Sequence, residues 1–166
     1  MMDQERQQIV EKVRSTLADK GFQIEKEDLT RPWGGFLVIQ ESQCLPFASM
    51  YFDLPADFML DPDLRINGKI LFVAPNKRLS WQYHERRTEI WQVLQGDVGV
   101  VSSETDEEHA LKLLGPGDQI TLPAGMRHRL VGLESWGVIA EIWQHNNPGH
   151  PSDEEDIIRI QDDFGR

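Results

Sequence analysis

The chain has 166 residues, a formal net charge of −11, thirteen glycines, nine prolines and one cysteine. That length holds one domain with a substantial core and hardly two, and the acidic balance excludes a general nucleic-acid binder, which needs a basic surface. No run of about 18 apolar residues is present to span a membrane, and the charged N-terminus MMDQERQQIVEKVRSTL lacks the apolar stretch of a secretory signal. Cys44 has no partner for an internal disulfide; it reads as a small buried apolar residue in a reducing compartment, so a cytoplasmic protein is expected.

Residues 3–20 predict a helix. Ile9, Val10, Val13 and Leu17 form an apolar stripe at helical spacing and Gly21 stops it, so the helix packs outside the domain or against a partner subunit. The period then changes. Short strands are predicted at 36–40, 47–52, 69–74, 79–84, 89–95, 98–102, 110–114, 119–122, 127–131 and 137–144. Turn residues separate them, as at Pro75-Asn76, Gln95-Gly96-Asp97, Gly115-Pro116-Gly117-Asp118 and Pro123-Ala124-Gly125. Many short strands without βαβ alternation predict an all-β sandwich or closed barrel. Residues 54–68 lack a period and read as a loop with at most one helical turn. The tail after Pro148 is acidic, and its last stretch, DIIRIQDDFGR, is expected to return as an edge strand.

Two segments carry the chemistry: PNKRLSWQYHERRTEIWQVLQG (75–96) and GPGDQITLPAGMRHRLVG (115–132). Residues two apart on a strand share a face, so Gln82 and His84 project together. A turn and a second strand bring Glu89 beside them, and His128 closes the set. Two imidazoles, a carboxylate and an amide oxygen suit a divalent metal. Taken singly, each histidine also reads as a core residue satisfied by a backbone carbonyl, and Glu89 as the ion-pair partner of Arg87. Lys77, Arg78, Arg86, Arg87, Arg127 and Arg129 fall within or beside these segments. They point either to recognition of a small anion or to solvent-facing strand exteriors. His109, His145 and His150 lie outside the segments and are expected at the surface. Trp33, Trp81, Trp91, Trp136 and Trp143 are expected in the core, with Trp33 in the RPWG turn nearest a ligand.

The spacing resembles the two cupin motifs, G-x5-H-x-H-x4-E-x6-G and G-x5-P-x-G-x2-H-x3-N. Here they read Asn76, Gln82, His84, Glu89, Gly96 and then Gly117, Pro123, Gly125, His128, Gly132, with every interval kept. The departures are Asn76 for Gly, Gln82 for the first His and Gly132 for Asn. Gln82 is similar to the glutamine that phosphomannose isomerases carry in place of the first His. Five blocks in order, RPWGGFLVI, the run from Lys69 through RLSWQYHERRTEIWQVLQG, LPAGMRHRL, AEIWQ and EEDIIRIQDDFGR, resemble the C-terminal isomerase domain of type II mannose-6-phosphate isomerases. The resemblance covers residues 31–166 and leaves residues 1–30, an N-terminal helical extension, and the 54–68 insertion outside it. No glycine-rich nucleotide-binding segment precedes Arg31, so the nucleotidyltransferase half of that bifunctional family is expected to be missing.

The resemblance implies a double-stranded β-helix (jelly-roll barrel) carrying an N-terminal α-helix. It implies a metal held by Gln82, His84, Glu89 and His128. Gln82 either ligates through its amide oxygen or hydrogen-bonds a metal-bound water. One anion and two imidazoles suit Zn²⁺, with Fe²⁺, Mn²⁺ and Ni²⁺ as alternatives. The implied reaction interconverts an aldose and a ketose phosphate, most simply mannose-6-phosphate and fructose-6-phosphate, through a cis-enediol. Lys69, Arg87 and Glu141 are the implied catalytic residues, and Trp33, Arg159 and Arg166 the substrate-binding ones. Phosphate falls to Arg87 or Arg159, while Glu141 is either a proton-transfer group or a structural ion-pair partner. Arg129 follows His128 and is expected on the opposite strand face. Glu85-Arg86 departs from the family's His-rich turn, so an isomerase of a free sugar such as lyxose stays open beside the phosphorylated substrate. A non-catalytic sugar-binding cupin is the reading from another class; iron dioxygenases share the barrel but usually keep the first His. A homodimer is expected.

Overall fold

A computed structural model describes residues 2–166. Helix α1 (Met2–Asp19) is followed by strands β1 (Ile24–Asp28) and β2 (Gly34–Ile39), a 3-10 turn, helix α2 (Cys44–Tyr51) and a second 3-10 turn (Phe58–Leu60). Then come β3 (Ile66–Val73), β4 (Trp81–Tyr83), β5 (Arg87–Gln95), β6 (Val98–Ser103), β7 (Lys112–Leu114), β8 (Gln119–Leu122), β9 (Arg127–Gly132), β10 (Gly137–His145) and β11 (Ile158–Gln161). The single turn inside 54–68 and the returning tail strand are as the sequence predicts.

Two elements differ from expectation. Residues 47–52, predicted as a strand, lie in α2 and its C-terminal end. Cys44, Phe47 and Ala48 are buried while Leu45 and Met50 are exposed, which is a helical stripe. The segment is apolar nearly all round, so its period is weak, and Pro46 falls in the first turn, where a missing N–H costs nothing. Strand β1 carries no apolar signal, because IEKED is polar; it sits at a sheet edge with only its end residues partly covered.

The strands form two antiparallel sheets, ordered β1-β2-β3-β10-β5-β8 and β11-β4-β9-β6-β7. Between them lies one core, with Leu71, Val73, Trp91, Val93, Val98, Val100, Leu130 and Ile139. The outer face of the six-stranded sheet carries a second core, in which Ile70, Phe72, Val138, Ala140 and Ile142 meet Val10 and Leu17 of α1 and Phe47 of α2. Burial on both faces explains why β3 and β10 read as continuous apolar runs rather than alternating ones. It also spends the apolar stripe of α1 within the chain, with Ile9 and Val13 packed against the same core. No helix among the described residues is long and apolar enough to cross a membrane.

Both glycine departures from the cupin motifs have local causes. Asn76 has φ 59°, the left-handed conformation that a motif glycine adopts freely and asparagine tolerates better than most residues. Gly132 donates to the Lys77 carbonyl at 2.7 Å, and a Cβ added there would fall 2.0 Å from the Ala74 carbonyl oxygen. The asparagine of the motif has no room at that position in this chain. Gly132→Ala should therefore destabilise the fold by about 1–3 kcal/mol, the usual cost of overpacking. Denaturant unfolding checks this, and an unchanged midpoint would refute the close approach.

Candidate metal centre

Strand alternation builds the site. On β3, β5 and β10 the residues facing the interior between the sheets include Leu71 and Val73, Trp91 and Val93, and Ile139. Continuing two residues at a time toward the other end of each strand leads to Lys69, to Glu89 and Arg87, and to Glu141 and Trp143. Register aligns these positions: Glu141 stands opposite both Lys69 and Trp91, and Trp143 opposite Glu89. On the second sheet Gln82 of β4 pairs directly with His128 of β9. One end of the interior is thus apolar core and the other is lined with charge.

His84, Glu89 and His128 are all buried, and one ligand atom from each lies within 4.8 Å of the others. His84 Nε2 is 3.0 Å from Glu89 Oε1, and His128 Nε2 is 3.3 Å from Glu89 Oε2. Backbone carbonyls set both tautomers. His84 Nδ1 donates to the Asp156 carbonyl at 2.7 Å and His128 Nδ1 to the Met126 carbonyl at 2.8 Å. In each neutral ring the lone pair is therefore on Nε2, aimed at the carboxylate. Arg87 Nη2 approaches His84 Nε2 at 3.2 Å. His128 Nε2 is buried with no hydrogen-bond partner among the described residues, its 3.3 Å approach to Glu89 lacking hydrogen-bond geometry. An orphaned lone pair beside an imidazole and a carboxylate is the donor set of a divalent cation, and the residues fit one.

The electrostatics agree. Burial opposes charge on Glu89, but His84, Arg87 and His128 together hold its carboxyl well below the usual carboxylate range. Burial also lowers the His84 pKa against the opposing charge of Glu89, in the direction of the neutral ring that a ligand needs. Gln82 is half-buried beside them. Its amide oxygen accepts from the Ser80 hydroxyl, while its nitrogen stands 3.4 Å from His84 Nε2. Rotating the amide by half a turn would exchange the two.

Next to the cluster opens a cavity of about 320 Å³ lined in part by Trp33, Lys69, Arg87, Glu141, Arg159 and Arg166. Every catalytic and substrate-binding residue the sequence nominated lines it. Glu141 is buried and accepts two indole N–H bonds, from Trp91 at 2.7 Å and from Trp143 at 2.9 Å. Burial, and then the charge of Glu89, push its carboxyl up to about 8 despite Lys69, Arg87 and the Trp91 bond. Lys69 is nearly buried, with Nζ 3.9 Å from the Trp143 ring centroid and 2.7 Å from Glu154. Arg87 is fully engaged: Nε donates to Glu89 at 2.9 Å and Nη1 to Ser152 Oγ at 2.9 Å and the Asp153 carbonyl at 3.1 Å. Arg159 makes no side-chain hydrogen bond or ion pair among the described residues. Burial and then the neighbouring Arg166 charge depress its pKa.

Other expectations fare unevenly. Of the six basic residues near the motifs, Arg87 lines the cavity; Arg78 pairs with Asp163, Arg86 with Asp153, Arg127 with Asp106 and Arg129 with Glu108. Arg129 is buried away from the cavity, as its strand position predicts. Arg31, which the motifs do not flag, also lines the cavity and pairs with Asp28 at 2.9 Å. His145, expected at the surface, is buried: Nδ1 accepts from Ser152 N at 2.9 Å and Nε2 meets the side-chain amide oxygen of Asn67. Burial lowers its pKa to about 4. The five tryptophans and Cys44 are buried as expected, and burial pushes the Cys44 thiol up to about 11, which leaves it inert. Trp91 and Trp143 serve the site as indole donors; counting in twos reaches Trp91 from Glu89 and Trp143 from Glu141. Asp156, which caps the site, lies outside both cupin motifs, in the acidic start of the tail block EEDIIRIQDDFGR.

Fold and site together define a β-barrel protein whose His84, Glu89 and His128 can hold a metal. The chain belongs to the mannose-6-phosphate isomerase C-terminal family, which matches residues 57–162, and so to the cupins. The match takes in most of the 54–68 segment, which the motif blocks had left outside. Over 107 residues the chain is 32% identical to the mannose-1-phosphate guanylyltransferase ManC of Salmonella typhimurium, covering 64% of this chain and 21% of that protein. It is 25% identical over 163 residues to the mannose-1-phosphate guanylyltransferase of Salmonella montevideo, 98% of this chain and 28% of the relative. The chain thus spans about a fifth to a quarter of the length of these relatives. Among solved structures, KdgF from Halomonas sp. aligns with a TM-score of 0.53 at 16% identity, covering 79% of this chain and 92% of that one. Oxalate decarboxylase from Bacillus subtilis aligns at 0.55 and 13% identity, covering 85% and 30%. These two likenesses concern the fold alone.

Proposed function

We propose that the protein is a metal-dependent aldose–ketose isomerase of a sugar phosphate, most simply mannose-6-phosphate and fructose-6-phosphate. The observation that carries this reading is the placing of Glu141, a buried carboxyl held by two indoles, in the same cavity as Lys69 and the metal ligand Glu89. His84, Glu89 and His128 hold the ion, with Gln82 adjoining, and zinc is the metal we assign on donor chemistry. When bound, the ion supplies positive charge that stabilises the oxygens of the carbonyl and hydroxyl during enolisation.

The chain's own residues supply the remainder. Glu141 takes the proton from one of C1 and C2 and returns it to the other through the cis-enediol, and a pKa close to neutral suits both directions. Lys69 faces the charge that develops on the substrate oxygen. Arg87 keeps Glu89 ionised and oriented and adds positive charge to the wall. Arg159, free of ion pairs at the cavity, takes the phosphate, with Arg166 and Arg31 beside it. Trp33 lines the same cavity and contributes an apolar wall for the sugar.

Zinc-loaded protein should interconvert the two hexose phosphates and exchange solvent deuterium into the substrate at C2. A chelator should abolish both and added metal restore them, as followed by NMR. No isomerisation across a panel of phosphorylated and free aldoses and ketoses would refute the activity; tight sugar binding without turnover would make this a non-catalytic member.

A further inference from the structure

We propose that the segment Ser152–Asp156 is a working part of the metal centre and that Asp156 is a positioning residue for the ligand His84. This rests on the metal reading above but adds a residue and a segment that neither the two cupin motifs nor the donor set contains.

His84 lies just beyond the end of β4, in the turn that leads to β5. The amides of that turn, Glu85 N and Arg86 N, donate to the two carboxylate oxygens of Asp156, at 2.9 Å to Oδ1 and 3.0 Å to Oδ2. One carboxylate some seventy residues away in sequence thus clamps the two amides that follow the ligand. The carbonyl of the same residue accepts from His84 Nδ1 at 2.7 Å and from Arg87 Nη1 at 3.4 Å. Ser152 Oγ donates to Asp156 Oδ2 at 2.6 Å and accepts from Arg87, and Asp156 N donates to Asp153 Oδ1 at 3.1 Å.

The two histidines are therefore anchored differently. His128 is fixed by the Met126 carbonyl, two residues away on its own strand approach. His84 takes its tautomer and ring direction from a remote segment whose position depends on the Asp156 carboxylate. Partners that orient a ligand in this way govern affinity without touching the ion. Coupling is reciprocal: if Asp156 favours metal binding, metal binding must tighten the clamp by the same free energy.

The test compares Asp156→Ala with Asp163→Ala, which breaks the Arg78 ion pair without touching the cavity. Zinc affinity is measured by chelator competition under conditions where circular dichroism shows each variant folded. Asp156→Ala should weaken zinc about tenfold to a hundredfold and Asp163→Ala should leave it unchanged. In the wild-type protein, zinc should slow amide hydrogen exchange at Glu85 and Arg86; in Asp156→Ala that protection should vanish. Should Asp156→Ala not fold, Asp156→Asn keeps the volume and one acceptor oxygen and carries the same comparison. Wild-type zinc affinity in a folded Asp156 variant would overturn the positioning role. A wild-type protein that binds no zinc would overturn the metal reading itself, and this inference with it.

Discussion

Glu141→Gln should reduce turnover by about 10²- to 10⁴-fold, the range in which a positioned acid–base group contributes, while zinc stoichiometry stays that of the wild type. The substitution keeps the shape and one acceptor oxygen for the Trp91 and Trp143 indoles but removes the proton that must move. Loss in kcat, with KM little changed, separates proton transfer from substrate binding. A variant retaining wild-type kcat would exclude Glu141 from the chemistry and leave it a structural acceptor.

The same residue makes a pH prediction. Its folded pKa is raised from 4.5 to about 8, so between these values the folded state binds the proton that the unfolded state has released. Its contribution to stability is fully present below about pH 4.5 and is lost as pH rises through about 8. Metal-free protein should therefore lose stability across this window, and Glu141→Gln should flatten the slope. A bound cation favours the carboxylate, so metal should weaken the dependence as well. Denaturant melts at several pH values, with and without metal, distinguish these outcomes. Glu89 behaves in the opposite sense: its depressed pKa adds stability above its unfolded value that is lost on acidification.

The second large effect concerns the ligands. His128→Ala and Glu89→Gln should each eliminate stoichiometric zinc and reduce turnover to background, but they should differ in stability. His128 Nε2 has no hydrogen-bond partner among the described residues, so its removal forfeits packing against Trp91 and the Nδ1 bond to the Met126 carbonyl but strands no buried charge. Glu89 neutralises Arg87, which is buried and donates to it at 2.9 Å. Removing that charge strands a buried guanidinium, at a cost of about 3–5 kcal/mol. Metal analysis and denaturant unfolding on both variants test the pair. Equal stabilities would mean that Arg87 finds another counter-charge, and zinc retained by His128→Ala would remove that histidine from the ligand set.

What could be read from the chain followed from short-range periodicity and spacing. The strand order along the sequence, the turns, the tail strand and the His84/Glu89/His128 set were legible, because residues two apart share a strand face and motif intervals persist whatever the surroundings. The helix α2 was not, since a segment apolar nearly all round carries no clear period even where only one face of it is buried. The partition of the basic residues was also hidden: Arg87 and Arg129 look alike in sequence, and only sheet assembly directs one into the cavity and the other to Glu108.

The sequence by itself determined the fold class and the metal-ligand candidates. Only the tertiary structure decided which side chains surround them. Glu141 acquires its raised pKa, Trp91 its role as donor to Glu141 and Asp156 its hold on His84 from contacts between residues fifty or more positions apart, or from burial that those contacts create. Burial and long-range hydrogen bonds have no local signature, because they are properties of the packed barrel and not of any segment within it.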